Sequence, residues 1–250
     1  MKKTLMLLVV AIFSIGITKN VFALEEPYYT TPNGIELTQD EYEFLNKFYF
    51  QGYADIMTRD QYDAIVADDL FNREVTIVKY EDPGLALLSP SIGSRSDTHS
   101  TPAKTVQIGK VCPPSYCIMT LTNTWHGSPA TRSWDNIGAY LSNVTYLAHN
   151  FTVVASTDGY TYFNNLNTAT NGVGNSVKLP DDGEDIVISM SFKVSRGGTV
   201  FGSYQHAMSS TTLAVSQDYN FDILGYGGVF DYYGNAIGVY DGMNGVDITV

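Results

Sequence analysis

A nine-residue alternation in the last third of the chain constrains the fold more than any other feature of the sequence. From Ile186 to Val194 the residues read Ile-Val-Ile-Ser-Met-Ser-Phe-Lys-Val, so every second position is apolar. Successive side chains of a strand point to opposite faces of a sheet. The pattern therefore predicts a β-strand with one face buried against a core.

Similar segments recur at short intervals through the second half of the chain. Residues 195–198 are rich in turn formers, and residues 199–208 are predicted to return beside the first strand as a hairpin. Residues 105–111 and 118–125 form a second predicted hairpin. The remaining strand candidates are residues 138–147, 151–156, 211–215, 219–224 and 247–250. Short strands separated by Asn, Gly and Asp are typical of an antiparallel β-sandwich or an open barrel.

The two cysteines, Cys112 and Cys117, lie between the strands of the second predicted hairpin, with Pro113 and Pro114 among the residues that separate them. A zinc site would need further thiols or neighbouring histidines, and a redox centre is more typically Cys-x-x-Cys. In an oxidising compartment, one disulfide across the end of the hairpin is the simplest pairing. We predict a structural disulfide.

Residues 1–23 have the pattern of a bacterial secretory signal peptide. Lys2 and Lys3 precede an apolar run at residues 5–17, and the small residue Ala23 ends the segment before the predicted cleavage site. The run is too short to cross a hydrocarbon core of about 30 Å, and no later stretch is long enough. The alternative is a retained N-terminal anchor. We expect a secreted, extracellular protein with no stable membrane span after cleavage.

The chain is acidic, with 26 Asp and Glu against 14 Lys and Arg. Cleavage would remove Lys2, Lys3 and Lys19 but no acidic residue, which leaves 11 basic residues and a net charge of −15. A polyanion of this kind is repelled by nucleic acid. The composition therefore excludes nucleic acid as a partner.

The acidic part of the chain, residues 24–82, contains a helical pattern that occurs twice. A nine-residue sequence that begins at Leu37 is echoed twenty residues later at Met57. In each copy a Thr is followed three residues later by Glu or Gln, which is the signature of a capping box at a helix N-terminus. We predict an acidic helical hairpin with helices at about 40–51 and 60–69. Two copies are too few to enclose a core of their own.

Two further segments complete the predicted organisation. Residues 83–104 are rich in Ser, Pro and Gly, a composition that buries little apolar surface, and we interpret them as a linker. Residues 105–250 are predicted to form the β-sandwich domain, and their number suffices for one core.

Aromatic residues are the most suggestive candidates for binding. Trp125, Trp134, Tyr160 and Tyr162 lie in a domain also rich in Asn, Gly and Thr. Tyr and Trp combine a large apolar area with a polar group, which suits contact with sugars or protein partners. The alternative is that these residues are ordinary strand residues.

The sequence carries no motif that identifies a cofactor, a metal or a nucleophile. Its four histidines have no recognised ligand spacing, and we predict neither a metal nor a cofactor. The acidic turn 181–185 has the oxygen ligands that Ca²⁺ prefers, but a solvated turn explains it more simply. Glycoside hydrolysis needs only two carboxylates, so Asp135, Asp158, Asp222 and Asp231 remain unweighted catalytic candidates.

Three functions remain open at this point. The first is a non-catalytic protein that binds a glycan or an extracellular protein, with aromatic residues as its contact points. The second is a secreted hydrolase that acts on glycans. The third is a pore-forming or bacteriocin-like toxin, for which residues 221–240 would supply the inserting hairpin.

Overall fold

Two antiparallel sheets pack face to face and confirm the predicted β-sandwich. The computed structural model describes residues 26–82, 103–225, 240–241 and 244–250. In order across it, the six-stranded sheet contains β3 (Thr76–Asp82), β4 (Lys104–Val111), β5 (Cys117–Trp125), β11 (Val187–Val194), β7 (Tyr146–Ser156) and β8 (Gly159–Tyr162). The five-stranded sheet contains β13 (Asn244–Thr249), β12 (Thr199–Gln205), β6 (Trp134–Ser142), β10 (Gly172–Lys178) and β9 (Leu166–Ala169).

Short helices and one small ribbon complete the described part of the chain. The ribbon pairs β1 (Tyr29–Thr30) with β2 (Glu36–Leu37). The helices are α1 (Gln39–Phe48), α2 (Tyr53–Ile56), α3 (Arg59–Ala67) and α4 (Leu213–Gly225). Among the helices of the described ranges, none has both the length and the apolar character that a bilayer crossing requires.

The main core lies between the two sheets. It contains Met119 and Leu121 from β5, Met190 and Phe192 from β11, and Ile137 from β6, all of them without exposed surface. The alternation at residues 186–194 buries one face of β11 as predicted, because Ile188, Met190, Phe192 and Val194 all lie in this cluster.

A second apolar cluster lies on the outer face of the six-stranded sheet, where the N-terminal helices cover it. Leu45 and Phe48 of α1 and Ile65 of α3 pack in the same cluster as Phe151 and Val153 of β7. This contact explains how helices too short to enclose a core remain folded: the sheet supplies the other half of their apolar surface.

Both predicted capping boxes are present. The Thr38 hydroxyl accepts from the amide of Glu41 at 3.3 Å, and the Glu41 carboxylate accepts from the Thr38 amide at 2.9 Å. Thr58 and Gln61 repeat this exchange at 3.3 and 2.8 Å. The observed helices begin one residue before the predicted starts, at the residue that follows each capping Thr.

The prediction of strands at residues 211–215 and 219–224 is wrong, because this region forms helix α4. The helix packs on the five-stranded sheet through polar residues. Ser216 and Asn220, which are four positions apart, are both buried there, and the Ser216 hydroxyl donates to Oδ1 of Asn136 at 2.7 Å. A helix with a polar buried face has no apolar stripe for sequence patterns to detect.

The predicted hairpin between residues 186–194 and 199–208 is also wrong, although both segments contain strands. β11 pairs with β5 and β7 in the six-stranded sheet, whereas β12 pairs with β6 and β13 in the five-stranded sheet. The connecting turn carries the chain from one sheet to the other. A turn-rich sequence is compatible with either connection, so the residues alone did not distinguish them.

The other predicted hairpin is confirmed. β4 pairs with β5 from Lys104↔Trp125 to Val111↔Ile118, and Cys112 and Cys117 form a disulfide at its tip. Strands β8, β9 and β10 were not predicted, because Asn and Gly residues interrupt the apolar pattern between residues 159 and 178.

The division of the chain into a helical module, a linker and a sandwich domain remains a prediction. Strand β3, which the sequence grouped with the helices, pairs with β4 from Thr76↔Lys110 to Asp82↔Lys104. The predicted signal peptide and residues 83–102 of the predicted linker lie outside the described residues.

Candidate functional site

A surface groove of about 400 Å³ lies between one edge of the six-stranded sheet and the end of β10 in the five-stranded sheet. One wall is the β7–β8 hairpin and the other is the segment that leaves the end of β10. The residues that line the groove are Val154, Ser156, Asp158, Gly159, Tyr160, Thr161, Phe163, Lys178, Leu179, Pro180 and Asp181. We call this feature the edge groove.

Arg132 holds the second wall of the edge groove in place. Its Nη1 donates to the carbonyl oxygens of Pro180 and Asp182 at 3.0 and 3.2 Å, and its Nη2 donates to the carbonyl oxygen of Gly183 at 3.0 Å. A planar guanidinium that binds successive carbonyl groups fixes the course of the loop. The loop is therefore pre-organised by its own contacts.

Lys178 orients the carboxylate of Asp181 on the same wall. Its Nζ donates to Oδ1 of Asp181 at 2.7 Å and to the carbonyl oxygen of Arg132 at 3.1 Å. This hydrogen bond and the positive charge of Lys178 lower the pKa of Asp181. Asp181 is therefore a charged acceptor on the rim at neutral pH.

The two walls are tied together at one end of the edge groove. The amide of Glu184 donates to the Thr157 hydroxyl at 2.9 Å, and the amide of Thr157 donates to the carbonyl oxygen of Glu184 at 3.2 Å. Gly183 has a φ of +93°, and a Cβ on it would lie 2.8 Å from the Ser156 hydroxyl and 3.0 Å from Oδ2 of Asp158. This close approach brings Asp158 onto the rim.

Tyr160 and Tyr162, two of the four predicted binding residues, lie together on β8. Tyr160 is 50% exposed and lines the edge groove. Its ring centroid is 5.6 Å from that of Tyr162 in an edge-to-face arrangement. Tyr162 is half-buried against the helices: its hydroxyl donates to the carbonyl oxygen of Ile56 at 3.4 Å, and burial is the main cause of its raised pKa.

The two tryptophans have different positions. Trp134 is half-buried, and its ring makes an edge contact at 6.1 Å with Phe163, which lines the edge groove. Trp125 is only 1% exposed and lies in the main core, where its Nε1 donates to the Tyr204 hydroxyl at 3.2 Å. The structure thus places Tyr160 and Tyr162 side by side on β8 and Trp134 against Phe163, and it buries Trp125 away from solvent.

The catalytic candidates are also dispersed. Asp135 has no exposed surface, and its carboxylate accepts from the Tyr204 hydroxyl, the Ala207 amide and Nδ1 of His206. These contacts give Asp135 a structural role. Asp158 lies on the edge groove. The side chain of Asp222 and the whole of Asp231 lie outside the described residues.

Asp135 belongs to a buried polar cluster that joins distant parts of the chain. Lys104 is 1% exposed and donates to the carboxylate of Asp241, which also accepts from the His206 amide at 2.7 Å. Burial raises the pKa of Asp241, although the neighbouring Lys104 opposes this effect. A buried charge requires such partners, and this cluster fixes residue 241 against β4 and the end of β12.

The described histidines are held by different parts of the fold. His149 and Thr152 are 2.8 Å apart, His126 and Thr105 are 2.7 Å apart, and His206 lies in the buried cluster. Within the described ranges, no three His, Cys, Asp or Glu side chains are grouped closely enough to hold a metal ion. The acidic turn at residues 181–185 lies beside the edge groove.

A second cavity, of about 230 Å³, lies between α3 and the outer face of the six-stranded sheet. Its walls include Tyr49, Tyr53 and Phe151, and its edge includes Lys193 and Asp68, which form an ion pair at 2.8 Å. The rings of Tyr49 and Tyr53 stack on each other with centroids 4.2 Å apart. The two stacked rings form part of the cavity wall.

Sequence reasoning missed the residues that shape the edge groove, above all Arg132 and Lys178. Each is a single basic residue, and nothing in its neighbours signals a role in shaping this loop. The Gly at position 183 was visible as a turn former, but its contact with Asp158 depends on the tertiary fold.

Comparisons with known proteins add little to this picture. No protein-family model matches the chain, and no similar curated protein was found. One partly similar solved structure is the KRT10-binding region domain of the pneumococcal serine rich repeat protein PsrP. It has a TM-score of 0.30 and 11% sequence identity, and the match covers 54% of this chain and 87% of that one. A TM-score this low supports no inference about function.

Proposed function

We propose that this chain is a non-catalytic surface-interaction protein that acts outside the cell and binds its ligand in the edge groove. The observation that carries the proposal is that Tyr160, which is 50% exposed, and Asp181, whose carboxylate accepts from Lys178, lie on the two walls of the same groove. An aromatic ring beside charged acceptors offers apolar contact area together with directional hydrogen bonds.

The fixed walls of the edge groove support a binding role. Arg132 binds the loop that carries Asp181, and Thr157 exchanges two hydrogen bonds with Glu184. A site that is already ordered loses less conformational entropy when a ligand binds. This arrangement favours recognition over a role as a mobile surface loop.

Two features support an extracellular location. Residues 1–23 have the pattern of a signal peptide, and Cys112 and Cys117 form a disulfide. Structural disulfides persist mainly in oxidising compartments outside the cytosol.

Binding of the mature chain to glycan arrays and to panels of extracellular proteins tests the proposal. We expect at least one ligand whose binding falls about tenfold or more in Tyr160→Ala, since an aromatic contact at the centre of a site contributes more than 1 kcal/mol. Tyr80→Ala is the matched control, because Tyr80 is 44% exposed on β3 at the opposite edge of the same sheet. If both variants bind every ligand as the unaltered chain does, the edge groove is not the binding site.

A secreted glycan hydrolase is the second candidate function, because Asp158 and Asp181 line the same groove. The lowered pKa of Asp181 suits a charged nucleophile or base rather than a proton donor. Release of reducing sugar that is abolished in both Asp158→Asn and Asp181→Asn would establish the hydrolase and replace the first proposal.

A further inference from the structure

Strand β8 has an open edge beside the edge groove. It is the last strand of the six-stranded sheet and pairs only with β7 among the described strands. The amide of Phe163 donates to the carbonyl oxygen of Thr152 at 2.9 Å, which fixes the phase of hydrogen bonding between the two strands. In an antiparallel pair, hydrogen-bonded and non-hydrogen-bonded positions alternate.

The register identifies which backbone groups of β8 face away from β7. Tyr160 and Tyr162 lie opposite Ala155 and Val153, and the phase set by Phe163 makes both pairs non-hydrogen-bonded. Their N–H and C=O groups therefore point outward. Within the described ranges, no backbone hydrogen bond involves these outward groups of Tyr160 or Tyr162.

Two other sheet edges contact elements outside their own sheet. At the opposite edge of the six-stranded sheet, Nδ2 of Asn244 donates to Oδ2 of Asp82 at 2.9 Å, so β13 lies beside β3. At β9, Nδ2 of Asn167 donates to the carbonyl oxygen of Gln217 in α4 at 3.1 Å. Strand β8 combines outward backbone groups with an adjoining groove that is lined by carboxylates.

The charge around β8 selects the kind of ligand. The carboxylates of Asp158 and Asp181 lie on the groove, and Asp182, Glu184 and Asp185 follow in the same exposed turn. The neighbouring basic side chains are already engaged, since Lys178 pairs with Asp181 and Arg132 binds backbone carbonyls. The surroundings of the open edge are therefore strongly negative.

We propose that an extended, basic segment of a partner protein binds in the edge groove by adding to β8 as a further strand. This inference rests on the proposed function and specifies its ligand. Strand addition would satisfy the outward backbone groups of Tyr160 and Tyr162, and Lys or Arg side chains would pair with the carboxylates on the rim. A second copy of this chain is disfavoured as the occupant, because pairing two β8 edges would bring two acidic rims together.

Synthetic octapeptides provide the test, with binding measured by fluorescence anisotropy on the full mature chain. The probe is a capped peptide of alternating Val and Lys, and the matched control is alternating Val and Glu. A third peptide is Val-Lys with N-methyl groups on two adjacent central residues, which block hydrogen bonding on both edges of the strand. We expect the Val-Lys peptide to bind, the Val-Glu peptide not to bind, and N-methylation to weaken binding by about tenfold or more.

Variants of Tyr160 separate backbone from side-chain contributions. Tyr160→Ala removes the ring and keeps the outward N–H, whereas Tyr160→Pro removes both without breaking a hydrogen bond to β7. We expect Tyr160→Pro to bind the Val-Lys peptide more weakly than Tyr160→Ala. The N-methylated peptide tests backbone hydrogen bonding on the unaltered protein. The conclusion therefore does not depend on whether the proline variant folds.

The possible outcomes distinguish this inference from the proposed function. Equal binding of the methylated and unmethylated peptides, or no binding of the Val-Lys peptide, would overturn strand addition. A glycan whose binding depends on Tyr160, found together with inert peptides, would leave the edge groove as a binding site and reject the peptide ligand. If no ligand binds more weakly when Tyr160 is replaced, both the proposed function and strand addition are rejected.

Discussion

Nη2 of Arg132 donates a hydrogen bond at 3.0 Å to the carbonyl oxygen of Gly183, which lies 51 residues further along the chain. The same guanidinium reaches two more carbonyl oxygens of this loop. One side chain from the segment before β6 therefore determines the shape of a loop that follows β10. The edge groove depends on this long-range contact.

Arg132→Ala is expected to loosen the loop and lower the free energy of unfolding by about 1–3 kcal/mol, because three carbonyl groups lose a charged donor. Urea denaturation measures the stability, and hydrogen exchange at residues 181–185 measures the loosening. Arg132→Lys is the matched control for charge, since an ammonium group cannot bind several carbonyls in the geometry of a guanidinium. Unchanged exchange in both variants would contradict the assigned role of Arg132.

Gly183→Ala is expected to destabilise the protein by about 1 kcal/mol more than Gly34→Ala. Both glycines have a positive φ, but a Cβ at position 34 meets nothing within 4 Å, whereas one at position 183 would press on Ser156 and Asp158. The pair thus separates the cost of the backbone conformation from the cost of close approach. Equal losses of stability in the two variants would mean that Ser156 and Asp158 move to accommodate the added methyl group at no cost in free energy.

His149 is expected to make the protein less stable as the pH falls. Burial lowers the pKa of His149 below its ordinary value of 6.5, so the unfolded chain takes up a proton more readily than the folded one. The stability from this residue is present above pH 6.5 and is lost as the pH falls from there towards the lowered pKa. Urea denaturation at pH values of about 7.5 and 5.5 measures the effect.

His149→Gln is the comparison for this prediction, since it keeps a polar group beside Thr152 and removes the titration. The variant should lose less stability between the two pH values than the unaltered chain. An identical loss in both proteins would show that His149 does not contribute to the pH dependence.

Cleavage within residues 83–102 is expected to leave the two fragments associated. Strand β3, on one side of this segment, pairs with β4 on the other side, and α1 and α3 pack on the outer face of the same sheet. With a protease recognition sequence inserted there, the cleaved protein should elute from a size-exclusion column as one species and separate only in denaturant. Separation in native buffer would show instead that these contacts do not hold the two fragments together.

The elements that the sequence predicted well are those whose pattern is local. The capping boxes at Thr38 and Thr58 depend on residues three positions apart, and the β4–β5 hairpin with its disulfide depends on adjoining segments. Alternation likewise indicated which side of β11 is buried. Local signals of this kind can be detected without knowledge of the tertiary fold.

The errors arose where tertiary contacts decide the structure. Helix α4 packs through Ser216 and Asn220, so its buried face resembles an exposed one in the sequence. The turn after Val194 carries the chain between sheets, a choice made by strand pairing far away in the sequence.

The predicted contact residues remain a prediction. Tyr160, Tyr162 and Trp134 were chosen for their chemistry; Tyr160 lines the edge groove, Tyr162 packs against the helices and Trp134 contacts Phe163. Trp125 was chosen on the same grounds, but it is buried. Composition does not indicate which aromatic residues face the core. The contribution of Arg132 appears only once the chain is folded.

Hydrogen exchange of the mature chain, with and without a ligand whose binding depends on Tyr160, tests the central claim most directly. The account predicts slower exchange of the outward amides of Tyr160 and Tyr162 and of the loop at residues 181–185 when the ligand is bound. Protection confined to another surface, such as the cavity lined by Tyr53 and Leu70, with no change along β8, would contradict it.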